Sequence, residues 1–121
     1  MKSTIFNSEL KVLTILWGEG DTTAKDLAIK LKASTDWNKT TSYTMIKRCI
    51  EKGLVERQEP RFLCRALLTK EEAKQLESEI LIGKMFDGSP DLLISYLLGN
   101  ERLTTSQINT LRILVQEFAV E

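Results

Sequence analysis

A chain of 121 residues, 42% apolar and 28% charged, is long enough for one compact domain or a small domain with an extra segment, and too apolar for a disordered tail or a fibrous protein. The absence of histidine excludes Ser-His-Asp and Cys-His active sites and His-ligated zinc, and no apolar run reaches the ~18–20 residues of a membrane span. The 17 basic and 17 acidic side chains cancel overall, yet residues 1–37 carry 5 of each, residues 38–68 carry 7 basic and 3 acidic, and residues 69–121 carry 5 basic and 9 acidic.

Asn7 or Ser8 can cap a first helix running to Trp17, with Leu10, Leu13, Leu16 and Trp17 along one face, and Gly18 and Gly20 stop it. Thr23-Ala-Lys-Asp26 resembles a capping box with Asp in place of Glu, and opens a second helix whose inner face is Leu27, Ala28 and Leu31. After the polar loop Ser34-Thr35-Asp36, Asn38 is placed to cap a third helix from about Lys39 to Lys52, ended by Gly53. Leu54–Arg57 and Phe62–Leu67 read as two short strands around Gln58-Glu59-Pro60-Arg61. Three helices followed by a two-stranded hairpin is the order of a winged helix-turn-helix.

The remainder reads as helical. Thr69-Lys-Glu-Glu72 is a capping box followed by an apolar stripe through Ala73, Leu76 and Ile80, ending near Asp87-Gly88. Ser89-Pro90-Asp91 supplies a cap, a proline at the first helical position and an acid in the first turn of a helix spanning Leu92–Leu98, which is apolar almost all round. Thr104-Thr-Ser-Gln107 opens the last helix, with Ile108, Leu111, Val115 and Phe118 along one face, widened by Leu114. A helix apolar on every side must be buried on every side. Three short helices cannot do this alone, so a second copy is expected to cover Leu92, Leu93, Leu97, Ile108, Leu111, Val115 and Phe118. The expected fold class is therefore mainly α with a small β-hairpin: a winged helix-turn-helix over residues 1–68 and a helical dimerisation segment over 69–121.

In a helix-turn-helix the second paired helix enters the major groove of DNA with its N-terminal residues nearest the base edges. Here that surface offers Lys39, Thr40, Thr41, Tyr43, Thr44 and Lys47, with Arg48 beside them, while Met45, Ile46, Cys49 and Ile50 face inward. Threonine hydroxyls bond base edges or phosphates and their methyls can touch a thymine methyl; Tyr43 can reach a phosphate through its hydroxyl. In the hairpin, Arg61 lies nearest the tip and is the best phosphate contact, with Arg57 and Arg65 on the strands. A merely solvated surface is the alternative reading of this cluster.

Several residues point elsewhere only weakly. Cys49 and Cys64 lack paired spacing, so no metal site is expected, and a buried reduced thiol is the ordinary outcome. A redox switch is the sharper alternative, because both flank the expected DNA surface. Glu71, Glu72, Glu77 and Glu79 read as a solvated helix face, and Met45, Met85 and Phe86 as core filling. No nucleophile–base pair or phosphate loop occurs, so neither an enzyme nor a cofactor is expected.

The order and spacing of these pieces resemble the BlaI/MecI/CopY family, the penicillinase-repressor type of bacterial transcription regulator. The similarity is carried by Ser8-Glu-Leu-Lys-Val-Leu-Thr-Ile-Leu-Trp17, Thr23-Ala-Lys-Asp-Leu27, Lys39-Thr-Thr-Ser-Tyr-Thr-Met-Ile-Lys-Arg48 and Glu51-Lys-Gly-Leu-Val55. It continues through Leu68-Thr-Lys-Glu-Glu-Ala73 and Asn100-Glu-Arg-Leu-Thr-Thr-Ser-Gln-Ile108. The resemblance implies a cytoplasmic homodimer that represses transcription from a palindromic operator on double-stranded DNA. Lys39, Thr40, Thr41, Tyr43, Thr44, Lys47 and Arg48 would then lie on the recognition helix and Arg61 in the wing. It also puts an upstream sensor protease among the partners, and no membrane. Three departures stand out. Leu10 replaces a tryptophan common early in the first helix, residues 117–121 contain no cysteine of the copper-sensing type, and Ile94-Ser-Tyr-Leu-Leu98 lacks the Asn-Phe bond at which antibiotic-sensing members are cleaved. Two alternatives remain open: a winged-helix module that binds protein and not DNA, and a regulator gated by a small molecule or by redox state.

Overall fold

The computed structural model describes residues 4–119; the outermost residues of the expected domains, and Val120 and Glu121 of the cysteine-free terminus, lie outside them. The order of elements is α1 (Asn7–Glu19), β1 (Thr22–Thr23), α2 (Ala24–Thr35), α3 (Lys39–Glu51), β2 (Val55–Gln58), β3 (Leu63–Ala66), α4 (Lys70–Met85), α5 (Pro90–Gly99) and α6 (Thr105–Ala119). The fold is thus mostly helical with one small antiparallel sheet. It falls into two compact units, divided between Ser78 and Glu79 within α4.

In the first unit, α1 presents Glu9, Val12, Leu13 and Leu16 to the interior, the i, i+3, i+4, i+7 stripe of an amphipathic helix. This corrects the expected inner face: Leu10 is 40% exposed, and the stripe runs one residue to its side. Phe6, not Asn7 or Ser8, is the N-cap. A phenyl ring has no acceptor, so the cap is made by Glu9, whose Oε1 accepts the Phe6 N–H at 2.9 Å. The core also contains Ile5, Ala24, Leu27, Leu31, Ile46, Cys49, Leu54, Val55, Cys64 and Ala73.

The helix starts obey their caps. Thr23 accepts the Asp26 N–H at 3.2 Å, and Asn38 accepts the Thr41 N–H at 2.8 Å. Helix α3 ends at C-cap Lys52, followed by Gly53 at φ +76°; the Gly53 N–H returns to the Ile50 carbonyl and the Leu54 N–H to that of Cys49. Only glycine takes that left-handed turn without cost, so the chain reverses there into β2.

The wing is one strand larger than the expected hairpin. The sheet has the order β1-β3-β2, with Thr22 opposite Cys64 and Thr23 opposite Leu63 on one edge, and Val55 opposite Ala66 through Gln58 opposite Leu63 on the other. The pairing extends into α2, whose Ala24 N–H donates to the Phe62 carbonyl at 2.9 Å. The sheet is thereby pinned against the helix-turn-helix. Trp17 Nε1 donates to the Leu68 carbonyl at 2.9 Å, fixing where β3 hands over to α4.

In the second unit, α5 starts with Pro90 at its first position, as expected, although the Ser89 hydroxyl makes no capping bond. A full capping box opens α6: Thr104 N–H to Gln107 Oε1 at 2.9 Å, and Gln107 N–H to Thr104 Oγ1 at 3.1 Å. The equivalent box at the start of α4, in the first unit, joins Thr69 and Glu72 at 2.8 and 3.0 Å. Phe86 meets Tyr96 with ring centroids 5.8 Å apart. No described side chain between residues 79 and 119 is buried.

Candidate nucleic-acid interface

Helix α3 divides cleanly by face. Ser42, Ile46 and Cys49 are buried, Met45 and Ile50 are half-buried, and Lys39, Thr40, Thr44, Lys47 and Arg48 are exposed. Thr41 and Tyr43 are half-buried between the two faces. The structure therefore brings all seven expected helix residues to one outward strip and its margin. Thr44 donates its hydroxyl to the Thr40 carbonyl at 2.9 Å, which leaves its oxygen lone pairs and its methyl facing out. Lys39 stands 6.0 Å from the Tyr43 ring centroid.

The wing arginines separate by what holds them. Arg57 pairs with Glu59 and lies over the Phe62 ring, 3.7 Å from its centroid. Arg65 pairs with Asp21 at 3.3 Å and stays on the sheet. Arg61 is exposed and has no ion pair among the described residues; Lys47 and Arg48 share that condition. A cation without an internal partner is the one an external anion can recruit at least cost.

Two basic residues were missed from sequence. Lys25 and Lys32, seven residues apart on α2, flank a shallow groove of about 200 Å³ completed by Ala28, Ile29, Lys39 and Tyr43. Their charge is hidden in the even balance of residues 1–37. The seven-residue spacing, two turns on one helix face, is the signal that could have found them. Ser42 was also not recognised as interior; its hydroxyl is buried with no partner among the described residues.

The two thiols face inward. Burial, reinforced by the Glu9 carboxylate, pushes the Cys49 thiol up to about 12, and burial pushes Cys64 up to about 11 against the opposing Arg57 charge. Thiols held in that range are not reactive nucleophiles. Among the described residues no group of three His, Cys, Asp or Glu side chains could hold a metal, and no helix is long and apolar enough to cross a membrane.

Three helices, a pinned antiparallel wing and an outward polar strip on the third helix define a winged helix-turn-helix protein with a C-terminal helical segment. Residues 5–117 match the penicillinase repressor family, and the chain belongs to that family. It is 24% identical over 115 residues to the penicillinase repressor of Bacillus licheniformis, covering 93% of this chain and 90% of that one. With the penicillinase repressor of Staphylococcus aureus it shares 20% identity over 114 residues, at the same coverage. Among solved structures, the DNA-binding domain of the repressor BlaI superimposes with a TM-score of 0.52 at 21% identity, over 60% of this chain and 93% of that domain. Monomeric Bacillus licheniformis BlaI in complex with the blaP half-operator gives 0.51 at 22% identity, over 58% and 88%.

Proposed function

We propose that this chain is a homodimeric transcriptional repressor that reads a palindromic operator on double-stranded DNA. The observation that carries the reading is the exposed strip of α3, Lys39, Thr40, Thr44, Lys47 and Arg48, together with an exposed Arg61 in the wing that has no ion pair among the described residues, in a member of the penicillinase repressor family. Thr41 and Tyr43 edge the same strip. In this reading α3 lies in the major groove, Arg61 rests on the adjacent backbone, and Lys25 and Lys32 engage the phosphates on the α2 side. The superimposed neighbour bound to a half-operator supports DNA as the partner.

Residues 1–68 act as the DNA-binding domain and residues 69–121 as the dimerisation domain. The exposed faces of α5 and α6 support a second copy as their cover. The protein acts in the cytoplasm as a regulator and not as an enzyme. A sensor protease acting on it would need a bond other than Asn-Phe in the Ile94–Leu98 stretch. Electrophoretic shift with the protein's own upstream region tests the reading: a salt-sensitive complex is expected, and its absence leaves the protein-interaction reading in place.

A further inference from the structure

Helix α3 is held at its C-terminal end by a polar strap. Glu9 is fully buried, and its Oε1 accepts both the Phe6 N–H at 2.9 Å and the Lys52 ammonium at 2.7 Å. Lys52 is the C-cap of α3; it also donates to the Thr4 carbonyl at 3.0 Å and stands 4.3 Å from the Phe6 ring centroid. The Thr4 hydroxyl lies 3.0 and 3.2 Å from the two Glu77 oxygens, and the Ile5 N–H donates to Glu77 Oε2 at 3.2 Å. Three residues, Thr4–Phe6, thus join the end of α3 to α1 on one side and to α4 on the other.

Stability alone does not account for this arrangement. Taking two charges out of water is costly, and apolar residues of equal volume often stabilise a core as well or better than a buried ion pair. Glu9 also leaves its Oε2 buried with no partner among the described residues. What the charged version supplies is direction: one oxygen fixes Phe6 N–H and Lys52 together, and Lys52 fixes Thr4. A helix of 13 residues is about 20 Å long. Pivoting on Ile46, buried near its midpoint, such a rod moves its two ends in opposite senses.

We propose that Glu9, Lys52, Thr4 and Glu77 are positioning residues that aim α3, so that the N-terminal part of its outward strip, Lys39, Thr40 and Thr44, is set by contacts at its C-terminal end. The purpose of this aim rests on the DNA reading above; the coupling itself does not. Because Glu77 lies on α4, the strap also links the aim of α3 to that helix within the first unit.

Two measurements test it. In the full-length protein without DNA, hydrogen exchange is followed at the amides of Lys52, Gly53 and Leu54 in Lys52→Met, Glu77→Ala and the double variant. Lys52 and Glu77 meet through Thr4, so each single change is expected to speed exchange several-fold and the double change by clearly less than the product. Multiplicative effects overturn the strap. Thr4→Val, which deletes the hydroxyl link and keeps both charges and the Ile5 N–H bond to Glu77, is expected to speed exchange in the same direction as Glu77→Ala but by less, and normal exchange in it overturns the coupling.

The second measurement uses a duplex enriched by the wild-type protein from a random pool. Removing an acidic charge should tighten DNA binding on electrostatic grounds alone. The strap predicts the opposite sign for Glu77→Ala: about 3–10-fold weaker binding to the enriched duplex, with an unchanged salt slope because no phosphate contact is lost. Equal or tighter binding overturns the positioning role. Failure of the wild type to enrich any duplex overturns the DNA reading instead, and leaves the exchange cycle to decide the strap.

Discussion

The Tyr43 ring on α3 meets the Phe62 ring of the wing edge-on, with centroids 6.2 Å apart and planes at 71°. Phe62 has the Arg57 guanidinium against it as well, and its backbone sits at φ +52°, a region a bulky residue enters only when its surroundings hold it there. The half-buried Phe62 side chain thus helps orient the wing on α3, beside the Ala24–Phe62 backbone bond and the buried Val55 and Cys64. Phe62→Ala removes the aromatic pair and the cation contact together, and is expected to cost about 1–2 kcal/mol, less than a fully buried phenylalanine would. Urea unfolding measures that loss. A variant within a few tenths of a kcal/mol of wild type would show that β3 and the Ala24–Phe62 backbone bond hold the wing unaided.

The cations divide into those committed to carboxylates and those that are not. Lys47→Ala and Arg61→Ala are each expected to weaken binding to the selected duplex and to flatten the log–log salt dependence by about one unit. Lys25→Ala and Lys32→Ala should follow them if the α2 side meets phosphate. Arg65→Ala breaks a pair with Asp21 on the sheet and is expected to leave the slope unchanged. Titrations at several salt concentrations separate the two groups, and a slope that moves with Arg65 but not with Arg61 would reverse the assignment.

Both cysteines carry a pH signature. In the folded chain Cys49 and Cys64 are raised to about 12 and 11 from the ordinary 9.0. A raised folded value means the unfolded chain gives up these protons first, so their contribution to stability is whole below pH 9 and is lost as pH climbs toward 11–12. Wild type should therefore lose stability relative to the Cys49→Ala, Cys64→Ala variant as pH rises from 9 toward 11. Equilibrium unfolding across that range tests it, and parallel curves would count against burial of the thiols. At pH 8 a thiol reagent should modify neither cysteine until the protein unfolds. The same burial argues against the redox-gated reading, which requires an accessible thiolate.

Local signals made most of the fold legible from sequence. Asn38, Thr69 and Thr104 cap where their side chains predict, because a cap is a bond between neighbours and needs no tertiary context. Failures came where distant groups decide. Glu9 does not stand out in the sequence, because its partner, Lys52, is 43 residues away. With Glu9 discounted, Leu10 looked like the core residue. Thr22–Thr23 is too short for any alternation to register, and becomes a strand only because β3 is there to pair with it. The α3 strip was readable since its apolar and polar positions alternate at helical period. The α2 lysines were lost to averaging, their charge balanced by acids elsewhere in the first 37 residues.

The C-terminal helices yield the prediction with the widest consequence. Phe118 is 81% exposed and Val115 64%, on the same face of α6 as Ile108 and the half-buried Leu111. On α5, Leu92 and Leu97 are exposed and Leu93 is half-buried. The described side chains of this helical unit are at most half-buried, so much of its apolar surface is left open to water. In the dimer proposed above, a second copy would bury this apolar surface by the hydrophobic effect. Phe118→Glu, and separately Leu97→Glu, should convert a particle of two chain masses into one of a single mass in sedimentation equilibrium, since a carboxylate in that face would have to be desolvated. The DNA consequence follows from linkage of two reading heads. Once one is docked, the other binds at a high effective concentration, so loss of the dimer should lower affinity for a site with both halves by ~10²–10⁴-fold. Affinity for an isolated half-site should stay the same, because α3 and the wing are untouched. A charged residue at 118 and at 97 that leaves the mass at two chains would place the subunit contact elsewhere.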